Sequence, residues 1–414
     1  MPSSPQRPEK PSSSLAQPFL YALNRMRERE AVHPQDLEVR AQALLVERFG
    51  LSDQPVHARF VPGCAGLMSE HTHFFDGFAV MMPLPFGVAV AVRRAKGAAS
   101  RLIVEGQDEV HISGSGVQEV PGGDTAVLAA GLFEDLLRVL VPDGMHVEAA
   151  VVSTLAKQHA DAFLTAFGVA LVQAVEHMFP APTGDGAVPS LVSDAIARCM
   201  GRPFSVAYPL SVWKGRADAF MLVDTGTGEW LPLEAPPQEK VGWGLVYADC
   251  PQIQERDFYT RRMEQAREAL ERLRQRGFGD ISSFRGLEHR DLQHALDLLP
   301  HTLRPLVRYL VGENRRVQKL VNAIRRKDWQ MLGALFLISH ASKRNDLEVA
   351  CPGADLTVEQ VEQMLIDGMY GAMLTGLSGS VIVVGQPYMV PIGLDRIQEG
   401  ISSRFGAAPE VVLL

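Results

Sequence analysis

The stretch PGCAGLMSEHTHFFD, at positions 62–76, constrains the fold and function of this chain more than any other. It follows HARFV (57–61), which alternates like a strand, and it precedes FAVMMPL (78–84), which is also β-like. Four acidic or imidazole side chains lie within seven positions: Glu70, His71, His73 and Asp76. Such side chains between two predicted strands indicate a candidate active site on a connection that a sheet supports.

The His71-x-His73 spacing has two interpretations. On a strand, both imidazoles would lie on one side and could bind a metal together with Glu70 or Asp76. Alternatively, these residues make local hydrogen bonds in a former ligand site. Because HxH alone is a weak signal, we predict no metal site.

Length and composition predict a globular protein of two domains. The chain has 414 residues, 46% of them apolar and 21% charged, which is too long for one core of ordinary size. We expect a disordered tail at 1–15, an N-terminal domain at 16–210 and a C-terminal domain at 211–414. The net charge of −8 gives no reason to expect nucleic acid or a membrane as partner.

The cysteines and the N-terminus favour a cytoplasmic protein. MPSSPQRPEKPSSS lacks the apolar core of a signal peptide. The four cysteines are scattered, without a CxxC pair, at Cys64, Cys199, Cys250 and Cys351. The spacing therefore indicates neither a zinc site nor a disulfide framework, and it fits a reducing compartment.

The order of predicted elements is mixed α and β. Helical periodicity at 16–50 precedes several strands, and helices are predicted at 127–140, 160–179 and 191–201. FSVAYPLSVW (204–213) and the run at 218–233 are predicted to be strands. Helices dominate after a strand at 242–249, including one continuous helical segment at 303–345, and the chain ends in strand, helix and strand. This ending is typical of a small α+β sandwich.

Five motifs in order resemble galactokinase, a sugar kinase of the GHMP kinase superfamily. They are Pro62-Gly63 with Glu70-His71-Thr72 and Asp76-Gly77-Phe78; Arg261-Arg262; Gly312-Glu313-Asn314-Arg315-Arg316-Val317; Ser339-His340-Ala341-Ser342 with Cys351-Pro352; and Gly376 to Ile382. The resemblance implies an α+β, two-domain GHMP kinase fold. Its N-terminal domain would be ribosomal protein S5 domain 2-like, its C-terminal domain ferredoxin-like with added helices, and the active site would lie in the cleft between them.

The groups that transfer phosphate in this family are replaced here. Cys64 occupies the position of the arginine in PGR, and an ungapped count back from Asp224 puts Tyr208 at the catalytic aspartate. A thiol cannot replace a guanidinium, and a phenol with an ordinary pKa near 10 is a poor general base. A Cys–His nucleophile pair at Cys64 is the alternative to a small buried thiol.

The phosphate-binding loop of the family is also altered. Its glycine-rich sequence corresponds to 155–163, where no glycine remains, Asp161 adds negative charge and Lys157 adds positive charge. The resemblance leaves Lys157, Gly376 and Gly379 as weak candidates for nucleotide binding.

The sugar-binding positions are partly retained. Glu70 and His71 match residues that contact galactose in the family, His73 replaces an aspartate, and Phe258 replaces a tyrosine. Galactose specificity is therefore not implied, although a sugar or polyol remains a candidate ligand. Glu313 to Arg315, with Ser339 and His340, are expected to hold helices together without taking part in chemistry.

These substitutions predict a pseudokinase with a sugar-binding, sensing or partner-binding role. The alternative is an active ATP-dependent sugar 1-kinase with a changed substrate and a rebuilt site, which would require ATP and Mg²⁺. In both cases the expected partners are a small sugar and possible protein partners.

Overall fold

The computed structural model describes residues 33–113, 116–117, 124–155, 159–179, 184, 186–237, 239–248, 256–376 and 379–414. A few side chains within these ranges are not described, among them Glu70, His73 and Phe74. The expected tail at 1–15, Lys157 and Cys250 lie outside the described residues.

The described strands form two sheets. They are β1 His57–Met68, β2 Phe78–Arg94, β3 Ser100–Val104, β4 Val110–Ser113, β5 Gly116–Val117, β6 Val147–Ser153, β7 Ala219–Asp224, β8 Trp230–Glu234, β9 Gly242–Tyr247, β10 Met369–Thr375, β11 Ser380–Gly385 and β12 Val411–Leu413. The first sheet has the order β5-β4-β3-β6-β2-β7-β8, and β1 pairs with β2. The second has the order β10-β11-β9-β12 and is antiparallel throughout.

Eleven α-helices lie in the described part of the chain. They are α1 Pro34–Phe49, α2 Asp124–Leu140, α3 Ala160–Val175, α4 Val188–Met200, α5 Ala207–Lys214, α6 Arg256–Arg274, α7 Leu292–Asp297, α8 Arg304–Arg326, α9 Trp329–Ser342, α10 Pro352–Gln363 and α11 Met389–Phe405. Short 3₁₀ helices span Glu70–Phe75, Phe284–Gly286 and His289–Asp291, and a π-helical turn spans Lys343–Leu347.

Strand β2 is one continuous strand that extends beyond the β-like stretch FAVMMPL to Arg94. Its first residues pair with β7 and residues 88–94 pair with β6, while β1 pairs along most of its other edge. Pro83 and Pro85 lie between the two paired stretches. Proline lacks an N–H group, so it is tolerated where no ladder hydrogen bond is required.

Helix α3 is the central helix of the first layer. Fourteen of its sixteen residues are buried, and it packs on β1 and β2. A Cβ atom on Gly168 would lie 2.8 Å from Val192 Cγ1, so the absence of a side chain at this position permits close contact with α4. The nearly complete burial explains why α3 is apolar all round.

Helix α9 packs backbone to backbone on strand β10. A Cβ on Gly333 would lie 2.2 Å from the Tyr370 carbonyl oxygen, and one on Gly371 would lie 2.1 Å from the Gly333 carbonyl oxygen. Only glycine permits this approach. The second sheet is therefore fixed to its covering helices at a point where no side chain fits.

The predicted continuous helix at 303–345 is wrong, because the chain turns between α8 and α9. Lys327 has the left-handed φ of 57°, and the Asp328 carboxylate accepts a hydrogen bond from the Met331 N–H at 2.9 Å. A left-handed residue ends a helix and an aspartate N-cap begins the next.

The predicted strand at 204–213 is also wrong. Helix α5 forms there, after Ser205 accepts a hydrogen bond from the Ala207 N–H at 3.3 Å. The expected domain boundary at 210–211 falls inside α5. Since β7 and β8 belong to the first sheet, the chain passes from one sheet to the other between Glu234 and Gly242.

Two further sequence expectations concern cysteines and membranes. Cys351 is disulfide-bonded, contrary to the expectation that no disulfide forms, whereas Cys64 and Cys199 are free thiols. Widely separated cysteines can meet once the chain folds, so the sequence spacing did not reveal the disulfide.

None of the described helices is both long and apolar enough to span a bilayer.

Candidate functional site

The segment between β1 and β2 is a tight 3₁₀ helix, not the strand on which a metal-binding His71-x-His73 pair would depend. Ser69 and Asp76, which flank it, both have left-handed φ values of 69° and 57°. The Thr72 hydroxyl donates to the Ser69 carbonyl oxygen at 2.9 Å, and a Cβ on Gly77 would lie 2.0 Å from Thr72 Oγ1. Strained backbone of this kind persists where its surroundings fix it, as at ligand sites.

His71 is buried in this segment and contacts a residue that the sequence did not single out. Its Nδ1 shares a hydrogen bond of 3.0 Å with the Tyr259 hydroxyl, and His71 and Tyr259 are 2% and 1% exposed. Tyr259 directly follows Phe258 and lies two positions before Arg261-Arg262 in the sequence. The side chains of Glu70 and His73 lie outside the described part, and their predicted sugar contacts stay predictions.

Cys64 is a buried, protonated thiol. Its Sγ lies 3.6 Å from the Tyr208 carbonyl oxygen, and burial, followed by the Asp161 carboxylate, raises its pKa well above the usual range. A thiol with a raised pKa is a poor nucleophile at neutral pH and carries no positive charge. The structure therefore favours the buried thiol over a Cys–His nucleophile.

Tyr208 is buried at the predicted catalytic position. It is 1% exposed and packs against Phe204 with ring centroids 5.2 Å apart. Its placement on α5, instead of a strand, points its backbone carbonyl at Cys64. The two positions that the resemblance assigns to catalysis thus meet through this contact between a thiol and a backbone carbonyl.

The N-terminus of α3 corresponds to the family's phosphate loop, and the space between this N-terminus, Cys64 and Tyr208 is small. The cavity between Cys64, Tyr208 and the start of α3 has a volume of about 10 Å³, about enough for one water molecule. Leu155 packs on Gly63, where a Cβ would lie 2.9 Å from Leu155 Cδ2. A triphosphate does not fit this space without displacement of these side chains.

A buried ion pair adds charge to the same place. A carboxylate oxygen of Asp161 lies 3.6 Å from a guanidinium nitrogen of Arg202. The side chains of Asp161 and Arg202 are 3% and 4% exposed. The Arg202 guanidinium also lies over the Tyr259 ring, 5.9 Å from its centroid. Arg202 therefore connects the altered phosphate loop to the His71–Tyr259 contact. No motif marks Arg202, so only its position in the fold identifies it.

The C-terminal glycine turn is tied to the first sheet. Thr375, at the end of β10, donates its hydroxyl to the Gly66 carbonyl oxygen of β1. Gly376 and Gly379 have positive φ values of 69° and 81°, which glycine adopts readily. Lys343 is fully buried and donates to the Leu374 carbonyl oxygen at 2.7 Å. The weak nucleotide-binding assignment of the two glycines stays a prediction.

The residues that were predicted to hold helices together make hydrogen bonds between different helices and strands. Glu313 is fully buried and accepts hydrogen bonds from Ser339 and Arg316. Asn314 Oδ1 accepts from the Phe78 N–H at 3.2 Å. His340 Nδ1 accepts from the Leu374 N–H at 3.2 Å, and its Nε2 lies 2.9 Å from the Asp355 carboxylate. These contacts join α8, α9, α10 and both sheets, so the residues hold the helices together as predicted.

Asp224, from which Tyr208 was counted, pairs with Arg285 in a bidentate contact of 2.8 and 2.7 Å. Burial acts to raise the pKa of Asp224, but hydrogen bonds from Arg285 and from the Thr227 and Gly226 amides outweigh it and hold the pKa below its usual value. This pair anchors the end of β7 beside the 70–75 segment.

The described residues contain no cluster of three or more His, Cys, Asp or Glu side chains that could hold a metal. Glu70 and His73 fall outside that statement, because their side chains are not described.

Known proteins similar to this chain are galactokinases. It is 25% identical over 373 residues to the galactokinase of Streptomyces coelicolor, covering 87% of this chain and 91% of that protein. It is 26% identical over 396 residues to human galactokinase, covering 88% of this chain and 93% of that protein. No protein-family model matches the chain.

Solved structures show the same fold. The Lactococcus lactis galactokinase, solved in complex with galactose, matches with a TM-score of 0.76 at 19% identity, covering 90% of this chain and 96% of that one. The L. major mevalonate kinase, solved in complex with R-mevalonate, matches with a TM-score of 0.58 at 14% identity, covering 87% of this chain and 97% of that one. The predicted GHMP kinase fold is thus confirmed, and the chain is a galactokinase-like protein of the GHMP kinase superfamily.

Proposed function

We propose that this chain is a galactokinase-family pseudokinase, which lacks normal galactokinase activity and binds a sugar or a protein partner in a sensing role. The observation that carries this proposal is the small space, about 10 Å³, between Cys64, Tyr208 and Asp161 at the start of α3. Phosphoryl transfer requires room for the triphosphate and cationic compensation of its charge. Here a neutral thiol, a buried phenol and an added carboxylate occupy that place. A cytoplasmic location is part of this proposal.

The sugar-binding part of the proposal rests on the retained 70–75 segment. Its strained, tightly bonded backbone keeps the position that the resemblance assigns to sugar contacts. Tyr259 is hydrogen-bonded to His71, so a sugar that uses His71 must share or displace that bond. We therefore expect a different sugar preference from that of galactokinases.

The first experiment separates nucleotide binding from turnover. Thermal unfolding is measured with Mg-ATP, with a panel of hexoses and with both, and ADP release is followed by a coupled assay, with an active galactokinase as positive control. We expect no rise in Tm with Mg-ATP and no hexose-dependent ADP release. A hexose that raises Tm without turnover supports a sensing role, whereas hexose-dependent ADP release excludes the pseudokinase.

One observation favours the alternative of an active sugar 1-kinase. Asp161 and Arg202 supply a carboxylate and a guanidinium beside Cys64, the two kinds of group that Cys64 and Tyr208 no longer supply. If turnover is found, this pair is the candidate replacement. Asp161→Asn and Arg202→Met would then each abolish it, whereas Arg290→Met, at an exposed arginine, would leave it unchanged.

A further inference from the structure

Helix α9 carries apolar side chains on the side that faces away from the rest of the protein. The helix contains no Asp, Glu, Lys or Arg, and it packs on α8, β10 and β11. On its opposite side, Met331 and Ile338 are 49% and 54% exposed. A helix that is apolar on all sides is normally buried on all sides. The outer side of α9 is therefore a surface that a partner is expected to cover.

The exposed apolar residues of α9 form one continuous stripe. Met331, Ala334, Leu337, Ile338 and Ala341 are exposed or half-buried, and spacings of three and four residues put them on one side of the helix. At a rise of 1.5 Å per residue, this α9 stripe is about 15 Å long. A contiguous exposed apolar surface of this kind marks an interaction site, and its length matches about three turns of a docked helix.

Helix α8, which lies beside α9, has an exposed face that is basic. A turn of two residues joins the two helices, and they pack against each other. The one acidic residue of α8, Glu313, is fully buried. Four exposed cations of α8 have no ion-pair partner among the described residues: Arg315, Lys319, Arg325 and Arg326. These cations are thus available to carboxylates from another molecule.

The charges at the two ends of the α9 stripe select the kind of partner. Arg325 and Arg326 lie at its N-terminal end, just before the turn. Arg344 follows its C-terminal end, is 46% exposed and has its nearest carboxylate, that of Asp355, at 3.9 Å. If two copies of this chain paired through the stripe, cations would meet cations in either relative direction of the helices, which disfavours a second copy as the occupant. An acidic partner gains attraction at both ends.

We propose that the α9 stripe binds an amphipathic helix of an acidic protein partner. The apolar side of that helix lies on Met331 and Ile338, and its carboxylates pair with Arg325 and Arg326. This inference rests on the partner-binding part of the proposed function, to which it gives a surface and a partner chemistry. It requires neither an inactive phosphoryl-transfer site nor a bound sugar.

The test uses two synthetic peptides that differ only in charge. Both are helices of about 18 residues with leucine at every third or fourth position, flanked by glutamates in one peptide and by lysines in the other. Fluorescence anisotropy measures the binding of each labelled peptide to the full-length protein at about 50 mM salt. We expect the glutamate peptide to bind at least about tenfold more tightly, and high salt to reduce this preference. Equal affinities, or no binding of the glutamate peptide, would overturn the proposal.

Substitutions in the stripe locate the bound peptide. Ile338→Ser and Met331→Ser are each expected to weaken binding of the glutamate peptide about tenfold. Both side chains are exposed, so the Tm of each variant should stay within about 2 °C of the wild-type value. Val39→Ser, the matched change at a valine of α1 that is 64% exposed, should leave the affinity unchanged. A loss in Val39→Ser as large as the loss in Ile338→Ser would place the peptide elsewhere.

Charge reversal tests the basic end of the stripe. Arg325→Glu combined with Arg326→Glu should invert the preference, so that the lysine peptide binds more tightly than the glutamate peptide. Arg267→Glu combined with Arg404→Glu makes the same change in net charge at exposed arginines of α6 and α11, and it should retain the wild-type preference. Inversion in both double variants would show that net charge alone decides binding, and inversion in neither would exclude Arg325 and Arg326 as the contacts.

Sedimentation of the protein alone tests the competing occupant. We expect a monomer at micromolar concentration. A dimer that Ile338→Ser dissociates would show that a second copy covers the stripe, and it would overturn the acidic partner. None of these measurements involves turnover, a nucleotide or a sugar, so a failure here is distinguishable from a failure of the pseudokinase proposal, which the ADP-release assay tests.

Discussion

At the residue scale, the altered site has neutral side chains, Cys64 and Tyr208, at the two positions where the resemblance implies charged ones. Cys64 is buried against the Tyr208 carbonyl, and the cation and carboxylate of the site are instead paired as Arg202 and Asp161. A buried ion pair contributes little net stability, but loss of one partner is costly because the other charge is left uncompensated. The charges of Asp161 and Arg202 thus compensate each other without a nucleotide, which agrees with the pseudokinase proposal.

Restoring the family's arginine is expected to destabilise the protein and not to rescue activity. In Cys64→Arg, the adjoining cavity of about 10 Å³ cannot hold a guanidinium, so we expect a loss of about 3 kcal/mol or more in the free energy of unfolding. Cys64→Ala should cost about 1–2 kcal/mol. Urea denaturation and the ADP-release assay measure both effects. A Cys64→Arg protein of undiminished stability that releases ADP with galactose would contradict this prediction.

The Asp224–Arg285 pair gives a pH-dependent contribution to stability. Arg285→Met keeps an apolar side chain near Phe78, over whose ring the guanidinium lies at 4.0 Å, but removes the two hydrogen bonds. We expect a loss of about 2 kcal/mol at pH 7. Because the folded pKa of Asp224 is lowered, this stabilisation is present above the unfolded pKa and disappears as pH falls through the folded value.

The measurement is urea denaturation of wild type and Arg285→Met between pH 7 and pH 2. The difference between them should shrink below about pH 4. Arg290→Met removes an arginine that is 76% exposed, and it should change stability by less than about 0.5 kcal/mol at any pH. A difference that persists unchanged at pH 2 would rule out Asp224 as the partner that matters.

At the element scale, close backbone contacts and short connections set the fold. The Lys327–Asp328 junction divides a helical sequence into α8 and α9, and Gly333 allows α9 to lie directly on β10. His340 and Lys343, near the end of α9, then bond to the backbone of Leu374. The position of the glycine turn at Gly376 therefore depends on how α9 packs.

Gly333→Ala is expected to separate α9 from β10. The added methyl would lie 2.2 Å from the Tyr370 carbonyl oxygen, and backbone cannot move aside as a side chain can. We expect a loss of about 3 kcal/mol or more, although alanine favours the helix by about 1 kcal/mol. Gly97→Ala, where nothing lies within 4 Å, is the matched control and should be nearly neutral. Equal midpoints in urea for the two variants would disprove the close contact.

At the scale of the whole molecule, the two sheets share one core. Phe220 of β7, Trp243 of β9 and Phe336 of α9 are in sequential ring contact, with centroids 5.7 and 6.3 Å apart. Hydrogen bonds from Thr375 to Gly66 and from Phe78 to Asn314 also cross between the two parts. The domains that the sequence predicts are therefore extensively packed against each other.

We expect this shared core to make unfolding a single cooperative transition. Scanning calorimetry of the full-length protein should give one peak, with a calorimetric enthalpy equal to the van't Hoff enthalpy. Thr375→Val, which removes the hydroxyl that bonds to Gly66, should lower the midpoint without splitting the peak. Two resolved transitions in the wild type would instead indicate domains that unfold independently.

The sequence by itself predicted the GHMP kinase fold of the protein and most of its elements. Motifs such as Pro62-Gly63 and Glu313-Asn314 survive at fixed spacing, and helices such as α2, α3 and α4 follow from apolar periodicity. It also identified the replacements at Cys64 and in the phosphate loop, because these depend only on which residue type occupies a motif position.

Only the tertiary structure decided what those replacements do. The helix at Tyr208, the continuity of β2 and the break at Lys327 depend on caps and strand partners that local periodicity does not encode. Likewise, the roles of Arg202 and Tyr259 were not identified from the sequence. These residues meet Asp161 and His71 because residues distant in sequence pack together, and contact between distant residues is what burial and close packing determine.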